Sequence, residues 1–180
     1  MKIVWTVLAT LGALVVIALI WLYSGVYNVA ASVPHTAATE WALSTLMDRS
    51  VAAHVGDVQV PALDDSALVI VGAGEYREMC ATCHGAPGVE RSATGKGLNP
   101  EPPDLAKSAP EWSDAEIHWI ISHGIKMAGM PGFGKTHDEH KLWGMTAFVR
   151  QLPHMTAADY QMLTAAAGGD EGDDDHDHLP

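Results

Sequence analysis

Cys80-Ala81-Thr82-Cys83-His84 holds both cysteines of the 180-residue chain, with a histidine directly after the second. Two thiols two residues apart, followed by an imidazole, are open to four chemistries. A dithiol exchange site expects strands alternating with helices around it, and no strand pattern is present. A zinc site needs four ligands, and there is no second cysteine pair. A disulfide across two intervening residues is strained and closes almost no loop. The fourth chemistry is attachment of a c-type haem, in which each sulfur adds to one vinyl group of the porphyrin. The two-residue spacer lets both sulfurs meet the porphyrin edge, and the histidine falls beneath the iron as an axial ligand. The motif is therefore read as the site of one haem c, bound through Cys80 and Cys83, with His84 as metal ligand.

The elements that must position this motif are helical. Ser66 to Met79 forms a helix running into the motif, capped by Asp65 or Ser66. A Pro/Gly-rich loop fills Gly85 to Pro110. Ser113 and Glu116 form a capping box for a helix that ends at His123, before Gly124. Thr136 and Glu139 form a second such box for a helix running to Gln151, which Pro153 stops. Thr156 caps one more short helix. The expected fold is a small all-α domain, residues 65–162, built around one covalent haem with long ordered loops.

The residues around the motif resemble the monohaem class I cytochrome c family, and the resemblance covers about Leu68 to Leu152. Gly74-Glu75-Tyr76 through Cys80-Ala81-Thr82-Cys83-His84-Gly85 is similar to that family's first helix and haem-binding turn. Lys126-Met127-Ala128-Gly129-Met130-Pro131-Gly132-Phe133 is similar to its distal ligand loop, and Trp143 to Leu152 to its closing helix. The resemblance implies that the closing helix packs on Gly72, Ala73 and Tyr76. It also implies a main-chain carbonyl within Pro100–Pro103 as acceptor for the His84 N–H, with Pro103 counted in the site. Leu105 of the rigid Pro102-Pro103-Asp104-Leu105 run then lies on the haem face, and Trp112 beside a propionate.

Met130 has the family context for the sixth ligand: a glycine before it, a proline after it, and a loop that folds over the haem. Its thioether is soft and neutral, so His/Met ligation favours ferrous iron and raises the potential. Met127 ranks second and His123, which would give a low-potential bis-histidine haem, third. Met79 and Met145 read as core filling, and His118, His137, His140 and His154 are assigned no role.

The rest of the chain bears on location. Ile3 to Tyr23 is 21 residues without a charge, about 31 Å as a helix, enough to cross a bilayer core. Trp5 lies near one end, and Trp21 and Tyr23 at the other, as an interfacial belt requires. Lys2 keeps the amino terminus cytoplasmic, so the rest of the chain is exported. The competing reading is a signal peptide cleaved after Val29-Ala30-Ala31, but the run is longer than a signal peptide needs. Residues 1–23 are thus expected to be a single-pass anchor in lipid of a bacterial inner membrane, with the haem domain periplasmic. Residues 24–64 form a tether, a juxtamembrane helix from Thr36 to His54 and a linker from Gly56 to Asp64. That helix is either a cover for the next domain or a docking element. Residues 163–180 are expected to be an acidic, disordered tail.

Net charge is −12, and six of the acids lie in 170–180 without a base, so the rest stays at −6. An acidic chain is not a nucleic-acid binder. The partner expected is a redox protein with a basic or largely apolar face. Two strong axial ligands leave no open iron position, so the chain reads as an electron carrier rather than an enzyme. It would pass electrons to or from a membrane oxidoreductase. A fixed haem subunit of a respiratory or dehydrogenase complex is the runner-up, and a haem enzyme or gas sensor the third reading.

Overall fold

The computed structural model describes residues 1–168, and the chain divides into two compact units, Met1–Val33 and one beginning at Pro34. The first unit is helix α1, Lys2–Tyr23, with no buried residue. Its length and apolar composition are enough to cross a membrane. The Thr6 and Thr10 hydroxyls donate to the carbonyls of Lys2 and Thr6 at 3.0 and 2.9 Å, so both polar side chains are satisfied within the helix.

The second unit opens with α2, Ala37–His54, capped by the Thr36 hydroxyl. Leu43 and Leu46 of α2 are exposed, and Val51 is its one buried residue. The His54 ring lies 6.3 Å from that of Trp119. Helix α3 is Ser66–Glu75, capped by the Asp65 carboxylate on the Ala67 N–H. It does not run unbroken to Met79. Residues Tyr76–Cys80 form a π turn, and the motif continues as α4, Ala81–His84. A π turn inserts one extra residue and shifts the helical phase by roughly 100°.

Two single turns follow, α5 at Ala93–Lys96 and α6 at Leu105–Ser108, then α7 at Asp114–His123 with the expected Ser113/Glu116 capping box. Helix α8 is Glu139–Gln151 and α9 is Ala157–Ala167. The cap of α8 departs from expectation. Asp138, not Thr136, accepts from a first-turn N–H, that of Lys141 at 2.9 Å. Thr136 instead closes the 3-10 turn Phe133–Lys135, its hydroxyl donating to the Phe133 carbonyl, so the helix starts two residues later. Thr156 caps α9 as expected, in a box with Asp159. Helix α9 reaches Ala167, five residues past the expected boundary at Met162, and the remainder of the acidic tail lies outside the described residues. Among the described residues there is no strand, only isolated bridges at Ala86–Val89 and Ile125–Met130. The all-α fold is as expected.

The core sits where α3 crosses α8. The crossing is so close that a Cβ on Gly72 would come within 1.9 Å of the Gly144 carbonyl oxygen, so no larger residue fits. Tyr76 packs 5.0 Å from Phe148, and Tyr160 of α9 adds its ring edge-on at 6.5 Å. Arg77 donates to the Thr164 carbonyl at 2.7 Å, tying α9 to the π turn. Arg150 joins α8 to the segment before α7, donating to the carbonyls of Ala109 and Trp112 and pairing with Asp114.

Candidate haem site

The C-x-x-C-H turn is held from three sides. The Tyr76 hydroxyl donates to the Gly85 carbonyl at 2.7 Å, closing the π turn and α4 against the residue after His84. The Ser92 N–H donates to the Thr82 carbonyl at 3.0 Å, and a Cβ on Gly95 would clash with Thr82 and Cys83. The third support is chemical. His84 Nδ1 lies 2.8 Å from the Pro103 carbonyl oxygen. A carbonyl only accepts, so Nδ1 carries the proton and Nε2 keeps a free lone pair for a metal. Burial pushes the imidazole below the ordinary histidine range, and Arg91 adds to this against the pull of the Pro103 carbonyl. The ring is therefore neutral, the form in which imidazole ligates.

Cys80 and Cys83 are both free thiols and both half-buried. Burial, with Glu75 and Cys83 adding, pushes the Cys80 thiol up to about 12. Exchange sites of the thioredoxin kind need a lowered thiol, so this geometry opposes that chemistry. Leu105 and Trp112 are half-buried against the core, and Pro102 is buried beside the exposed Pro103.

The distal loop runs from Gly124 to Thr136. Gly124 ends α7 with φ +68, and a Cβ there would strike Pro131, Gly132 and Met130. The Ile125 N–H donates to the Met130 carbonyl at 3.2 Å, closing the loop on itself. Met130 is half-buried, whereas Met127 is 85% exposed with φ +63. His123 is exposed, stacked 4.6 Å from Trp119, with Nδ1 on the Trp119 carbonyl. Leu98 lies 3.0 Å from where a Gly129 Cβ would be, linking this loop to the segment that follows α5.

Two groups absent from the expected site emerge. Arg91 is half-buried, close enough to act on His84, and ion-paired with Glu101. Glu75, at the end of α3, pairs with Lys141 at 2.7 Å and with His137 at 3.2 Å. The one charge inside the apolar run of α3 was the available signal for Glu75. Of the histidines assigned no role, His118 is buried, stacked 3.8 Å from Trp143 and paired with Glu139.

The donor set fits a haem c: two unpaired thiols, a neutral imidazole with its outer nitrogen already bonded, and a half-buried thioether on a closed loop. A helical domain folded about such a turn is a c-type cytochrome domain. Residues 67–149 match the family described as cytochrome C oxidase, cbb3-type, subunit III, which indicates a c-type cytochrome domain over those residues. No curated protein and no solved structure matches the chain. The family implies covalently bound haem c and electron transfer.

Proposed function

We propose that the chain is a membrane-anchored, periplasm-facing cytochrome c that carries one haem and passes electrons to or from a membrane oxidoreductase. The observation that carries this reading is the 2.8 Å bond from His84 Nδ1 to the Pro103 carbonyl, which leaves Nε2 as a metal donor in a C-x-x-C-H turn. When bound through Cys80 and Cys83, the haem supplies one-electron chemistry at its iron. The residues of the chain supply the rest. His84 gives a neutral nitrogen donor whose orientation Pro103 fixes. Met130 would supply the second metal ligand, a reading supported by its partial burial and the Ile125–Met130 closure, against an exposed Met127 and a stacked, exposed His123. Pro102 is buried and Leu105 and Trp112 are half-buried, which supports their reading as apolar residues beside the haem.

Helix α1 supports placement in a bacterial inner membrane, with lipid around residues 3–23. An anchor confines the search for a partner to two dimensions and raises the local concentration. The acidic body suits a partner with a basic or apolar face.

Carbon monoxide tests the carrier reading. The reduced protein should keep its spectrum under CO if His84 and Met130 both hold the iron; rapid CO binding would favour a sensor or enzyme. A second reading is favoured by one specific observation, that the matching family is described as an oxidase subunit. In that reading the chain is a fixed haem subunit of a larger complex, and α2 is its assembly helix. Stable co-purification with other subunits in mild detergent would select it over a free carrier.

A further inference from the structure

We propose that Glu75 is a positioning residue that latches the distal loop, so that one carboxylate couples the helix leading into Cys80–His84 to the loop carrying Met130. The proposal rests on the reading of His84 and Met130 as the axial pair. Glu75 stands on the last turn of α3, five residues before Cys80, and its side chain is 12% exposed. A carboxylate so placed costs free energy unless both oxygens are partnered. Oε1 accepts from Lys141 Nζ at 2.7 Å, and Oε2 meets His137 Nε2 at 3.2 Å. Lys141 belongs to the first turn of α8, but His137 directly follows the distal loop.

His137 is as sheltered as Glu75, at 12% exposure. Its backbone N–H donates to the Phe133 carbonyl at 3.0 Å, and its ring meets the Phe133 ring edge-on at 5.4 Å. Phe133 is buried in the core, three residues after Met130. The loop is thus pinned at its start to α7, by the Gly124 N–H on the Ile120 carbonyl, and at its end to α3, by His137 on Glu75. Between these points Phe133 sits in the core, Gly132 and Gly134 lie close against the backbone of His123 and Ser122, and Leu98 lies over Gly129. Release of the second pin removes the tie between the loop and α3 and leaves Met130 held by the packing of the loop on α7 and by Phe133. A thioether would be a weak donor to ferric iron, so a loosened loop would let a competing ligand replace Met130 more readily.

The test uses the full-length, haem-loaded protein in detergent and follows imidazole binding to the ferric form, with loss of the sulfur-to-iron near-infrared band as readout. Glu75→Gln keeps the shape and removes the charge. Breaking one side of a sheltered ion pair should open the loop more often and raise the imidazole binding rate roughly tenfold. His137→Gln should act in the same direction, and the double variant should add little to the stronger single one. Thr156→Ala, which weakens the cap of α9 without touching Glu75 or His137, is the control: it lowers thermal stability and should leave the imidazole rate unchanged. Equal imidazole rates in wild type and Glu75→Gln would overturn the latch, as would a rise in Thr156→Ala matching that of Glu75→Gln. If Glu75→Gln does not fold, His137→Gln decides on the same criteria. A wild-type protein without the near-infrared band would mean that the axial reading has failed and the latch with it. A normal wild-type band with an unaffected variant would sink the latch alone.

Discussion

Met127 and Met130 are three residues apart and differ in the properties that decide ligation. Met130 is sheltered on a closed loop, while Met127 projects into solvent from a left-handed backbone position. Met130→Ala should therefore abolish the near-infrared sulfur-to-iron band and lower the reduction potential by roughly 0.1 V or more. Met127→Ala should leave both unchanged, and Met127→Gly should stabilise the fold by about 1 kcal/mol, since glycine carries no penalty at positive φ. Loss of the band in the Met127→Ala protein would reverse the ligand assignment. His118 yields a pH prediction. Burial holds it below the ordinary histidine value of 6.5, against the pull of Glu139, so the unfolded chain takes up the proton first as pH falls. Its contribution to stability is complete above that value and is lost as pH drops toward the folded value. Thermal melts of wild type should fall off below pH 6.5 more steeply than those of His118→Gln. At this scale the candidate donors were legible because C-x-x-C-H and Met-Pro are local patterns. Glu75 and Arg91 were not, because their partners His137, Lys141 and Glu101 come from elsewhere in the chain.

The crossing of α3 and α8 is set by two glycines, and it shows what an element-scale change costs. Gly72→Ala places a Cβ 1.9 Å from a backbone oxygen that no rotamer change can move. The helices must separate, at a cost of about 3 kcal/mol or more, with a drop in the thermal midpoint and weaker haem retention. A Gly72→Ala protein as stable as wild type would contradict the close-packed crossing. Helix existence was legible here from caps and apolar spacing: Asp65, Ser113 and Thr156 all cap where their sequence patterns place them. Two features were not. The π turn at Tyr76–Cys80 follows from long-range packing of Tyr76 and its bond to Gly85, which a 3.6-residue period does not encode. The Thr136/Glu139 pair satisfied the capping-box pattern, yet the 3-10 turn at Phe133–Lys135 took the threonine hydroxyl and left the cap to Asp138. Local patterns name candidate caps, and the loop that precedes them chooses.

As a whole molecule the chain joins an apolar helix to an acidic, haem-binding helical domain. The intact protein should fractionate with membranes and retain Lys2 to Tyr23 by mass; a mass beginning at Ser32 would mean cleavage after Val29-Ala30-Ala31. Association of an acidic body with a basic partner face should slow as salt rises, because the Debye length is only about 10 Å at 0.1 M. Removing the six acids of 170–180 should slow it modestly and leave the haem spectrum unchanged. Electron transfer indifferent to ionic strength would favour the fixed-subunit reading, in which encounter is not a step. The central claim is that Cys80 and Cys83 hold one haem covalently for His84 and Met130 to ligate. Its most direct test is a pyridine haemochrome spectrum of the purified protein after acid–acetone extraction. The account predicts one haem c per chain that survives extraction; pigment that washes out, or two haems per chain, would contradict it.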